Sequence, residues 1–328
     1  MHMPQTRAMN HPSPPPTLGL AACLVLATVV GACAAPPGDP LPSVVGPGDD
    51  SEGLSGHSVV LDEVTRTWSA YRPPGTALDP AAPVLLVIHG TGDSGSGIRH
   101  GIGPELERLA DRHGFSIAYV DGHQNNWNEC RREGDWPAKE KGLDDVGLMR
   151  EVIDSLDTTG PVYAVGFSSG GHMAMRLALE APDLVDAVAA VAANPPTRRN
   201  LDCPADGEAV PIMFVQGRED TINPIDGGEV RVGSGVSAKS RGDVLSAVDG
   251  AAWFADRNGV AGDGTVPPGH TDGDAETITW EGLDPVRLVM VDRVGHSFPT
   301  LSGRWDGDGG AEYDAPGEIW RFFTSAAP

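Results

Sequence analysis

Three residues of this chain have the types that acyl transfer requires: a nucleophile, a base, and a carboxylate to orient the base. Ser168 lies in Gly166-Phe167-Ser168-Ser169-Gly170, between an apolar stretch, PVYAVGF, and a stretch of helical character, HMAMRLAL. A strand that turns sharply into a helix at Gly-x-Ser-x-Gly projects its serine hydroxyl clear of the sheet. Side chains at Gly166 and Gly170 would collide where strand and helix approach so closely, and Gly171 extends the clearance. The first N–H groups of a helix lack intrahelical acceptors, so the Ser169 N–H is available to a developing oxyanion. Asp220 follows the apolar stretch PIMFVQG, and His296 follows PVRLVMV. Glu219 is the rival acid, but consecutive residues at a strand end point in different directions. Asp220, after a strand and a short turn, is the better partner.

These side chains need a scaffold that brings strand ends together. Pro83 to His89 (PVLLVIH) is continuous and rich in branched residues, as a strand buried on both faces must be. It runs into His89-Gly90-Thr91-Gly92-Asp93, a loop able to aim the Thr91 N–H at the active centre as a second oxyanion donor. His89 itself is read as structural, hydrogen-bonding that loop, and His172 as packed behind the serine turn. Further strands are expected at 58–62 and 65–71 (a hairpin), 115–121, 185–192, 211–217 and 285–291. Helices are expected at 104–113, 143–156 and after Ser169, with a closing helix around 319–323. This alternation predicts an α/β fold, a doubly wound, mostly parallel sheet with flanking helices, whose site lies at the strands' C-terminal ends. The chain order Ser168, Asp220, His296 is the order of the α/β-hydrolase fold, and differs from the trypsin and subtilisin orders.

The polar stretch from Gly122 to Glu140 is long for a loop inside a compact domain, which marks it as functional. Trp127 and Trp136 within it, and Phe298 beside His296, are candidates to contact an acyl group or a sugar. The formal net charge is −23 with a pI near 4.6, so no basic groove for nucleic acid is expected. No His/Asp cluster has metal-ligand spacing, and no cofactor is implied. Asp306-Gly307-Asp308-Gly309-Gly310 lacks the ligand positions of a calcium loop and reads as a solvated turn.

The beginning of the chain has a different character. Leu18 to Val30 is apolar but short for a membrane span, and small residues follow it. Residues 1–32 read as a signal peptide, and Val30-Gly31-Ala32-Cys33 resembles a bacterial lipobox with Cys33 as the lipidated residue. Ordinary secretion with cleavage near Ala35 is the competing reading. Residues 33–56, rich in Pro, Gly and acid, read as a disordered tether, with a single catalytic domain over 57–328. An exported protein of this kind meets the membrane through the anchor only. Cys130 and Cys203 are then the two cysteines left, and in an oxidising compartment they are expected to form a disulfide.

Several stretches carry a family resemblance: VIHGTGDSG (from Val87), YVDGH (from Tyr119), GFSSGGHMAMRLA (from Gly166), QGREDTINP (from Gln216), AAWFADRNG (from Ala251) and GHSFP (from Gly295). In these the chain resembles the secreted α/β-hydrolase esterases that include polyhydroxybutyrate (PHB) depolymerases, feruloyl esterases and acetylxylan esterases. The resemblance implies a catalytic triad of Ser168, Asp220 and His296, an oxyanion hole from Thr91 and Ser169, and a disulfide near Cys130 and Cys203. The family often has tryptophan where Phe298 stands and a cysteine where Val260 stands. The function so implied is hydrolysis of a small or oligomeric carboxylic ester. A serine peptidase of the same fold and a non-enzymatic envelope lipoprotein are the competing classes.

Overall fold

The computed structural model describes residues 53–75, 79–233, 238–303 and 313–326. The leader, Cys33, most of the tether and Asp306–Gly310 lie outside the described residues. All described residues belong to one compact unit, Ser43–Pro328.

The strands β1 (Leu54–Leu61) and β2 (Val64–Tyr71) form the expected hairpin, turning through Asp62 and Glu63, both with positive φ. The parallel strands β3 (Val84–Ile88), β4 (Ser116–Val120), β5 (Val162–Phe167), β6 (Ala187–Val191) and β7 (Ile212–Gly217) follow in chain order. Between them run the helices α1 (Gly95–His113), α2 (Pro137–Glu140), α3 (Asp145–Ser155) and α4 (Ser169–Glu180). After β7 come a two-stranded hairpin, β8 (Gly228–Val232) with β9 (Lys239–Val244), and the helix α5 (Ala247–Arg257). The chain closes with β10 (His270–Asp272), β11 (Ala275–Trp280), β12 (Val286–Val291) and α6 (Ala315–Ala326).

The main sheet has the order β1-β2-β4-β3-β5-β6-β7-β12-β11-β10. Its six central strands, β4 to β12, are parallel, and an antiparallel pair finishes each edge. Strand alternation divides the core into two layers. Val84, Leu86 and Ile88 of β3 pack on the α3–α4–α5 side, whereas Leu85 and Val87 pack on the α1–α6 side. Both faces are covered, which is why the central strands read as unbroken apolar runs.

Three expectations are corrected. Helix α1 starts at Gly95 rather than Pro104, because Ser94 caps it by accepting a hydrogen bond from the Gly97 N–H. Strand β1 takes in Leu54–Gly56, so these residues are not tether; their backbone pairs with Ser69–Tyr71. The β8–β9 hairpin and the β10–β11 edge add strands that the sequence pattern does not announce. Of these strands β8 and β10 are short and largely exposed, so they carry little apolar periodicity.

Candidate active site

The turn between β5 and α4 is shaped by what its glycines omit. A Cβ on Gly166 would stand 2.0 Å from the Gly170 carbonyl oxygen, and one on Gly170 would stand 2.1 Å from the Ile88 oxygen. Neither position tolerates any side chain, because backbone atoms cannot yield as a flexible side chain can. Ser168 itself has φ +54° and ψ −117°, a conformation costly for a residue with a Cβ. Its N–H donates to Val191 O at 2.8 Å, so β6 holds the strained turn in place.

His296 arrives from the loop after β12, and Asp220 from the loop after β7. These two loops lie across one another: the Glu219 N–H donates to Val294 O at 2.9 Å. Gly217 permits the crossing, since a Cβ there would meet Val294 O at 2.3 Å and Gly295 O at 2.5 Å. The result is a continuous chain of side chains. His296 Nε2 lies 2.9 Å from Ser168 Oγ, and His296 Nδ1 lies 2.7 Å from Asp220 Oδ2. With Nδ1–H donating to the carboxylate, Nε2 is left to accept from the serine hydroxyl. The Asp220 side chain is 1% exposed, and its other oxygen accepts from the Ile222 and Asn223 N–H groups, both at 2.8 Å. Glu219, the rival acid, is exposed.

The loop after β3 lies beside the serine: a Cβ on Gly90 would contact Ser168 Cβ at 3.4 Å and Phe167 at 3.1 Å. Thr91 is the next residue on this loop, and Ser169, directly after the nucleophile, is the first residue of α4. His89 is structural, as expected. Its Nδ1–H donates to Gly90 O at 2.7 Å, and its Nε2 accepts from the Gly122 N–H at 2.9 Å. Burial holds its pKa below the ordinary value, which favours this neutral form. His172 is likewise buried, its two ring nitrogens 3.1 Å and 3.0 Å from Ser168 O and Asn194 O.

The aromatic candidates are corrected. Trp127 has no exposed surface, donates its indole N–H to His89 O at 2.8 Å and packs against the His89 ring. Trp136 is buried, donates to Trp127 O, and lies against the Arg131 and Arg241 guanidinium groups. Phe298 is buried in the α1–α6 core layer. None presents a face on which a substrate could stack. They are large apolar groups next to the site, and the polar sequence around them conceals how deeply they pack.

The rim is covalently closed, as expected, by a Cys130–Cys203 disulfide spanning 73 residues. Buried ion pairs reinforce it: Glu129–Arg131 at 2.8 Å and Arg66–Asp145 at 2.5 Å. Sequence reasoning missed Asp145, which also accepts from the Asn128 N–H and so anchors the rim to α3. It missed Gly217 and Asn125 too. Gly217 is legible as the glycine ending an apolar strand, but nothing local indicates that another loop crosses it.

A mixed sheet with helices on both faces, and a serine on a strand-to-helix turn facing a histidine and an aspartate from later strand ends, define an α/β-hydrolase. The family model described as Esterase PHB depolymerase matches residues 66–256, and the chain belongs to that family. "Putative esterase NocK" of Nocardia uniformis subsp. tsuyamanensis is 34% identical over 178 residues, 52% of this chain and 49% of that protein. "Feruloyl esterase B" of Thermothelomyces thermophilus is 34% identical over 115 residues, 34% of this chain and 38% of that protein. The matched stretch thus spans about half of the first relative's length and less of the second's. Among solved structures, the acetyl xylan esterase from Aspergillus awamori superposes with a TM-score of 0.55 at 14% identity, covering 82% of this chain and 99% of that one. That likeness is one of fold.

Proposed function

We propose that the protein is a serine esterase that hydrolyses carboxylic esters through an acyl-enzyme. The observation that carries this reading is the hydrogen-bonded chain Ser168 Oγ–His296–Asp220 at 2.9 Å and 2.7 Å. Ser168 Oγ attacks the ester carbonyl while His296 Nε2 takes its proton, and Asp220 holds the resulting imidazolium. The Thr91 and Ser169 N–H groups bind the oxyanion. His296 then returns the proton to the departing alkoxide, and the alcohol leaves. Water, deprotonated by the same nitrogen, attacks the acyl-enzyme and releases the acid.

The acyl group is read as aliphatic, of the short hydroxyalkanoate type named by the family. Burial of Trp127, Trp136 and Phe298 supports this, because it removes those three as platforms for an aromatic acid. A feruloyl or acetylxylan ester is the second reading, favoured by the feruloyl esterase relative. We further propose export, with lipidation of Cys33. The apolar run from Leu18 and the small residues before Cys33 support it. Changing Cys33 to Ala should move the protein out of the membrane fraction, and unchanged partitioning removes the anchor.

An organophosphonate should label Ser168, located by mass spectrometry, and Ser168→Ala should lower kcat/KM by at least about 10⁴-fold. Full ester hydrolysis by that variant would overturn the mechanism. Relative kcat/KM on 3-hydroxybutyrate oligomers, methyl ferulate, acetylated xylo-oligosaccharide and p-nitrophenyl acetate ranks the substrate readings. Activity on none of the four returns the peptidase and binding-protein classes.

A further inference from the structure

The loop that carries Thr91 is pinned along four consecutive peptide units. Each peptide is planar, with its C=O and N–H pointing in opposite directions, so fixing one group fixes the other. The Gly90–Thr91 unit is fixed through Gly90 O, which accepts from His89 Nδ1–H at 2.7 Å and from the Asp93 N–H at 3.2 Å. The next three units, Thr91–Gly92, Gly92–Asp93 and Asp93–Ser94, are held from outside the loop by Asn125. The Gly92 N–H donates to Asn125 O at 2.8 Å, and Asn125 Nδ2 donates to Asp93 O at 2.7 Å and reaches Gly92 O at 3.5 Å. Gly92 has φ +81°, so without these partners the loop has an intrinsically mobile joint beside Thr91.

Asn125 is itself presented by a tight turn. The Asn126 N–H donates to His123 O at 3.2 Å, with Gln124 (φ +47°) and Asn125 (φ +64°) between them. Two left-handed residues closed by such a bond make a type I′ turn, where asparagine and glycine are the favoured occupants. The turn is tied back to the same loop by the Gly122 N–H bond to His89 Nε2 at 2.9 Å. Asn125 is exposed, so burial gives no reason for these contacts.

We propose that Asn125 is a positioning residue: its side chain locks the Gly90–Asp93 loop so that the Thr91 N–H faces the oxyanion before substrate arrives. This rests on the esterase reading and deepens it, since an oxyanion donor stabilises the transition state in proportion to its preorganisation. The lock acts on kcat rather than on ground-state binding, because the oxyanion forms only after attack.

The test uses Asn125→Gly, which keeps the left-handed turn and deletes only the amide, and Asn125→Asp, which sets a carboxylate against the carbonyl oxygens of Gly92 and Asp93. For Asn125→Gly, kcat on p-nitrophenyl acetate should fall about three- to tenfold, the worth of one net hydrogen bond, with KM little changed. Affinity for an alkylboronic acid, which mimics the tetrahedral intermediate, should fall by the same factor. Asn125→Asp should fall further on both measures. Active-site titration with the organophosphonate normalises all rates to folded enzyme. Wild-type kcat and boronate affinity in Asn125→Gly would overturn the lock, and so would a rise in KM that alone accounts for the loss. If the wild-type protein is not phosphonylated at Ser168, it is the esterase reading that fails.

Discussion

The serine turn and the rim from Trp127 to Leu143 lie at the same end of the sheet, yet they are held by opposite means. The turn is built from absence: Gly166 and Gly170 lack the Cβ atoms that would strike backbone oxygens at about 2 Å, and no side-chain bond caps α4 at Ser168. The rim is built from long-range side-chain contacts. A disulfide ties it to the loop after β6, the Asn128 N–H bond to Asp145 ties it to α3 and through Arg66 to β2, and the Asp135–Arg241 pair ties it to the β8–β9 hairpin. Glu129–Arg131 and two buried tryptophans brace it from within. Rigidity from close backbone packing leaves nothing to titrate or reduce. Rigidity from charges and sulfur can be removed one group at a time, and this difference separates the responses of the two regions.

The largest stability loss is expected in the rim. Asp145→Asn leaves Arg66 charged, buried and without its carboxylate, which should cost about 3–5 kcal/mol in denaturant unfolding. The surviving folded fraction should still be phosphonylated at Ser168. If unfolding stability is unchanged, the ion pair does not anchor the rim. Gly170→Ala should cost about 3 kcal/mol, since its Cβ meets the Ile88 backbone oxygen. Here activity per folded molecule should fall as well, because the clash displaces the serine itself. An active, stable Gly170→Ala protein would contradict the steric account.

Cys203→Ser should lower stability by about 2–4 kcal/mol through release of the 73-residue loop closure. Its kcat/KM at about 25 °C should stay within a few-fold of the parent, because the buried ion pairs still hold the rim. A collapse of kcat/KM without unfolding would show that the disulfide, not the charges, sets the rim. The smallest effect concerns pH. Burial depresses the His172 pKa well below its ordinary value, so on acidification the unfolded chain gains a proton that the folded chain refuses. Its contribution is complete above about pH 6.5 and is lost as pH falls through that value toward the depressed folded one. His172→Leu should therefore flatten the fall in Tm between about pH 7 and pH 5. His89, shifted in the same direction, leaves part of that slope in place.

The contrast also marks what a reader of the sequence can see. The serine turn is legible because its constraint is local: glycines at fixed offsets from Ser168, between a strand pattern and a helix pattern. The parallel sheet is legible because strands buried on both faces must be continuously apolar. Asp220 and His296 are legible from their places just beyond such strands. The burial of Trp127 and Trp136 is not, since a tryptophan among polar neighbours carries no signal of depth. The β8–β9 hairpin is invisible for a related reason: its side chains meet the rim, as Lys239 and Arg241 meet Asp135, rather than forming an apolar face.

By itself, then, the order of residues determined the fold class, the family and the three side chains that face one another at the strand ends. Periodicity and glycine placement are properties of short segments that short-range sterics suffice to interpret. Chain order is read directly along the sequence, and the family rests on the likeness of several motifs. Only the tertiary structure decided that Gly217 must be bare for the His296 loop to cross, that Asp145 anchors the rim, and that Asn125 reaches the loop carrying Thr91. Each of these depends on which distant segment the fold brings within a few ångströms, and no local pattern encodes that neighbour.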